Sequence, residues 1–174
     1  MDLQTLATSA LAATLAAVGL NRAIDWQKGA ARARAQLRGI LLELTHAERC
    51  ADRFFANTEP RFAAVVYRIV TQYISSSIEP LAAAGVLRQA EAERLHHLYI
   101  EMDEINKTLD ALAVISGTST AAPRGDLSVI VTLRQVGTGD LARKLFEGLR
   151  EDLPGARGAA EAALARIAWF EPLS

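Results

Sequence analysis

The sequence predicts an all-α protein in which an N-terminal transmembrane helix is followed by an antiparallel bundle of five or six helices. Three observations predict it. Residues 3–20, LQTLATSALAATLAAVGL, carry no charge and run directly into a basic segment. Apolar residues then recur at spacings of three and four through most of the chain. Only one later segment reads as well as a strand as it does as a helix, and it has no visible partner.

As a helix the uncharged run reaches about 27 Å, just under the hydrocarbon thickness of a bilayer. Continuing to Ile24 closes the gap, because Arg22 can snorkel to the interface and Trp26 falls where an aromatic anchor sits. The larger apolar residues are Leu3, Leu6, Leu11, Leu15, Val18 and Leu20, opposed by Gln4, Thr5, Thr8, Ser9 and Thr14, so insertion is close to balanced. The competing reading is an Ala-rich helix packed on the bundle, with Leu11, Leu15 and Val18 as its buried stripe. The span is preferred because nothing charged lies between Asp2 and Arg22. Acidic Asp2 is the wrong flank for a cleaved signal peptide.

Beyond the run, Arg22, Lys28, Arg32, Arg34 and Arg38 stand against the single acid Asp25. By the positive-inside rule the N-terminus lies outside and the rest in the cytoplasm. The expected organisation is therefore a membrane anchor helix at 1–26 and a cytoplasmic helical bundle at 27–174, single-pass in a bacterial inner membrane, with residues 3–24 in contact with the lipid bilayer. Ser9, Ala13 and Ala17 repeat every four positions and offer a small-residue face for a homodimer within lipid.

Residues 28–56 read as a helix with Leu37, Ile40, Leu41, Leu44, Ala51, Phe54 and Phe55 on one side, broken at 57–60. Phe62, Val65, Val66, Ile69, Val70 and Tyr73 then give a second helical period, interrupted by Pro80 and Gly85. A long helix over 88–115 follows, with Leu95, Leu98, Tyr99, Met102, Ile105 and Leu109 inward and Glu91, Glu93, Glu101, Asp103, Glu104 and Asp110 on a solvated face. Asn106 falls within its apolar stripe and is expected to be a satisfied core amide that fixes register; Leu there is expected to leave the domain folded. The loop at 116–125, SGTSTAAPRG, separates this long-helix half from a short-helix half. Residues 127–136 fit helix or strand, and helix is expected because no partner strand is visible. Helices at 141–149, closed by Pro154 and Gly155, and at 158–170 complete the bundle.

A net charge of −1 gives no electrostatic reason to expect nucleic acid. Cys50 is the only cysteine, which excludes a disulfide within the chain and a Cys-based zinc site. The predominance of Arg over Lys and the abundance of Ala fit a GC-rich bacterial genome. Glu43-Leu-Thr-His46 and Glu93-Arg-Leu-His96 are both Glu-x-x-His, the spacing with which bundle proteins bring a carboxylate and an imidazole to a metal. At 100° per residue Glu93 and His96 point away from their helix's apolar stripe, while His46 falls on the far face and Glu43 on the flank of theirs. No catalytic residue, metal or cofactor is therefore assigned, and His97 reads as a surface residue.

Leu41-Leu42-Glu43-Leu44, with Leu98-Tyr99 and Ile105-Asn106 further on, resembles a loose class of uncharacterised bacterial membrane-anchored helical proteins over residues 1–115. The resemblance implies a topology and no activity. The chain departs from that class at His46, Ala47 and Glu48, where an Asn commonly follows the Glu-Leu. The expected function is a non-enzymatic, membrane-anchored helical interaction or sensor module with a protein partner. The alternative is a helical-bundle metal-binding protein or enzyme using Glu43, His46, Glu93 and His96.

Overall fold

The computed structural model describes residues 3–56, 63–115, 128–132 and 138–168, with side chains placed for 18, 21–56, 68–111 and 141–167. In chain order the elements are α1 (Leu3–Ala56), β1 (Ala63–Tyr67), α2 (Gln72–Ala83), α3 (Gln89–Ile115), β2 (Ser128–Thr132) and α4 (Thr138–Ala168). The chain divides into two compact units, Met1–Ala35 and Gln36–Ser174.

The first unit is the N-terminal part of α1. No proline precedes Pro60, and Gly19, Gly29 and Gly39 stand alone, so nothing stops the helix between the Ala-rich run and the apolar stripe beyond Gln36. What was expected as an anchor and a separate core helix is one helix of 54 residues. The expected transmembrane span is overturned: among the described residues no helix is long and apolar enough to cross a membrane. The run has helical length but insufficient apolarity, since Ala contributes little to insertion and five polar side chains offset six larger apolar ones. The single-pass inner-membrane placement, the lipid contact at 3–24 and the membrane-anchored architecture lose their support with it. The side chains of Ser9, Ala13 and Ala17 lie outside those described.

In the second unit α3 is central, packing against α2, α4 and β2. The core is built from Leu37, Ile40 and Leu44 of α1, Ile74, Ile78 and Leu81 of α2, Leu95, Leu98, Met102, Ile105 and Leu109 of α3, and Phe146, Leu149 and Leu153 of α4. Phe54 stacks on Phe146 at 4.4 Å between centroids, joining α1 to α4. The buried stripe of α1 is completed by Ala47, Cys50 and Ala51, whereas Leu41 is half-buried and Leu42 is 71% exposed. That turns the inward face toward Glu43, which is buried, and His46, which is half-buried, rather than leaving them on the flank and the far side.

Two segments expected as helix are strands. Ala63–Tyr67 and Ser128–Thr132 pair antiparallel, with Val65 opposite Ile130 and Tyr67 opposite Ser128. Both carry β-branched residues. The first reads as helix because its apolar run is long and lacks strict alternation, and the second because no partner strand is visible in the sequence. Among the described residues the helix count also falls, to four. The two short C-terminal helices are one, α4, because Pro154 lies on its exposed face, where water can satisfy the carbonyl that proline leaves unbonded. The loop at 116–125 and the break at 57–60 lie outside the described residues.

Candidate functional site

Polar side chains converge on residues 68–74, the crossing from β1 into α2. The first turn of α2 has unpaired amides, and Thr71 makes no side-chain capping bond. Glu43 of α1 supplies the cap instead: Tyr73 N–H donates to its Oε1 at 2.7 Å and Ile74 N–H to its Oε2 at 2.8 Å. A carboxylate at a helix N-terminus is favoured by the partial positive charge there as well as by the two bonds. Burial pushes the Glu43 carboxyl above its ordinary value, while the amides of Tyr73, Ile74 and Gln72 and the nearby His46 pull it back in part.

From the other side Asn106 of α3 reads both backbone groups of Ile69. Ile69 N–H donates to Asn106 Oδ1 at 2.9 Å, and Asn106 Nδ2 donates to Ile69 O at 2.9 Å. The amide thus pairs with the chain as a neighbouring strand would. Asn106 is half-buried and does fix register, but that of a crossing segment rather than of a helix pair. Arg68 beside it meets Asp110 at 2.5 Å, with both side chains nearly half exposed.

His46 Nε2 lies 3.2 Å from Arg68 O and 3.5 Å from Cys50 Sγ. Facing a carbonyl, that nitrogen carries the proton and donates it, so it is not a base for the thiol. Burial pushes the Cys50 thiol up to about 11. An activated cysteine needs the opposite environment. Tyr73 completes the crossing with its ring against the backbone at Gly39, where a Cβ would stand 2.5 Å from the ring carbons.

The Glu-x-x-His residues are not brought to a common point. Glu43 and His46 hold the crossing, whereas Glu93 is exposed on α3 beside Gln89 and His96 is exposed with its ring 6.2 Å from that of Tyr99. Among the described residues one group has donors close enough for a metal, and it is His97, Glu101 and Asp152. Sequence reading missed it because Asp152 comes from a distant helix; the signal within reach was the i, i+4 spacing of His97 and Glu101.

A second polar connection closes the start of α3. Glu91, the third residue of α3, accepts from the Arg88 amide at 2.8 Å, the acidic half of a capping box. Arg166 of α4 donates Nη1 to Glu91 Oε1 at 2.7 Å, adds a second bond to Oε2, and reaches Val86 O at 2.9 Å. The Arg166 bond holds the Glu91 carboxyl below its ordinary value. Comparison with known families, curated proteins and solved structures finds no match for this chain.

Proposed function

We propose that the chain is a non-enzymatic helical interaction module whose binding element is the part of α1 around residues 21–29. The observation that carries this reading is exposure: every residue from Asn21 to Gly29 is exposed although the segment is helical, and Ile24 and Trp26 are among them, with Val18 just before. A helix in a globular protein is normally held by burial of one apolar face. Ile24 and Trp26 suit a partner helix or groove, and Arg22, Lys28 and Arg32, exposed along the same stretch, favour an acidic rim around it. The polar residues of the crossing support the non-enzymatic part, since Glu43, His46 and Asn106 are each engaged with backbone groups.

The test is a photo-reactive amino acid at position 24 of the full chain, irradiated in bacterial cells, with a second probe at exposed Leu42 for comparison. A discrete adduct with another polypeptide at 24, absent at 42, is expected. No adduct at 24, or equal and diffuse labelling at both positions, contradicts the assignment.

A further inference from the structure

We propose that His97, Glu101 and Asp152 form a binding site for a transition-metal dication of the Zn2+ type where α3 meets α4. This does not depend on the interaction reading of α1. One donor atom from each residue lies within 4.8 Å of the others. His97 Nδ1 is 3.3 Å from Asp152 Oδ2 and 4.0 Å from Glu101 Oε1. Donors bonded to a tetrahedral ion at about 2.1 Å stand roughly 3.4 Å apart, so the His97–Asp152 pair already spans one edge. Glu101, within 4.8 Å of both other donors, has to close by at most about 1.4 Å to complete the set. The side chains of His97 and Asp152 are 66% and 51% exposed and free to turn toward it.

The donor chemistry selects the ion. One imidazole and two carboxylates suit zinc or a neighbouring transition metal better than Ca2+ or Mg2+, which take oxygen alone, and three protein ligands leave a position for water. A simple ion pair of His97 with the acids accounts for Asp152 Oδ2 and Glu101 Oε1, but not for Glu101 Oε2. That oxygen is sealed from solvent and accepts no hydrogen bond. A dication bound by both oxygens of Glu101 would give Oε2 the partner it lacks. Arg94 and Glu151 line the adjoining hollow with His97 and Asp152, and their charges oppose one another.

Calorimetric titration of the full chain with ZnCl2 alone tests the site. One ion per chain is expected, with affinity lower by on the order of tenfold or more in His97→Ala and in Asp152→Asn, both at exposed positions where the fold survives. Glu101→Gln should weaken binding likewise. His46 and Cys50 are the rival donors in this chain, so His46→Ala and Cys50→Ser should bind as the parent does. Absence of stoichiometric binding overturns the proposal. So does binding unchanged in His97→Ala and Asp152→Asn, or lost only in His46→Ala.

Discussion

At the scale of single residues, the crossing at 68–74 turns on how many backbone groups each polar side chain satisfies. Glu43→Gln keeps the shape but turns an amide N–H2 toward one of two donating amides. A cost of about 1–3 kcal/mol is expected, read from the urea midpoint. Asn106→Leu strips both groups of Ile69, a buried residue, and should cost about 2–4 kcal/mol rather than leave the domain undisturbed. An unchanged midpoint in either variant would show that water replaces the lost bonds. Gly39→Ala improves helix propensity by about 1 kcal/mol yet drives a methyl into the Tyr73 ring, so net destabilisation is expected. That loss should vanish in a Tyr73→Ala background, and its persistence would place the cause elsewhere. The sequence makes Asn106 conspicuous as a polar residue in an apolar stripe. It does not reveal the partner, because Ile69 is 37 positions away and engaged through its backbone.

At the scale of elements, the contact between α3 and α4 at Glu91 and Arg166 carries a definite pH dependence. The folded-state value of Glu91 is depressed below the unfolded one, so the unfolded chain binds the proton more readily. Its stabilisation is present above the ordinary carboxyl value of 4.5 and is lost as pH falls through the folded value. The parent should therefore melt higher than Glu91→Gln at pH 7, with the gap closing on acidification; a gap that widens would reverse the sign of the shift. Glu43 acts in the opposite sense, its raised value favouring the folded state as the pH falls toward the ordinary one, so only differences between parent and variant isolate Glu91. Elements were legible where packing side chains were large: Leu95, Leu98, Met102, Ile105 and Leu109 mark the buried face of α3 from their spacing alone. They were not legible where Ala and Cys draw the stripe, as at Ala47 and Cys50, and the larger Leu41 and Phe55, both half-buried, pulled the expected face away from Glu43. The two strands failed together, since antiparallel pairing across 60 residues leaves no local mark once one member is read as a helix.

At the scale of the whole molecule, the division at Ala35 and Gln36 separates two uses of one helix. An uncharged run of 18 residues looks membrane-spanning by length and charge, and Ala content decides against it because helical length and apolarity are independent quantities. From Gln36 on, α1 contributes Leu37, Ile40 and Leu44 to a core shared with α2, α3 and α4; from Asn21 to Gly29 it buries none of its residues. Local stability should follow that difference, because helical amides open most readily where few apolar contacts hold them. Hydrogen exchange of the full chain, read by peptide across α1, is the most direct measurement. The account predicts that amides of residues 21–29 exchange far faster than those of 40–51, whose protection should approach that of the α3 core. Equal and strong protection along the whole of α1 in the isolated chain would contradict it, by showing that residues 21–29 need no partner to be held.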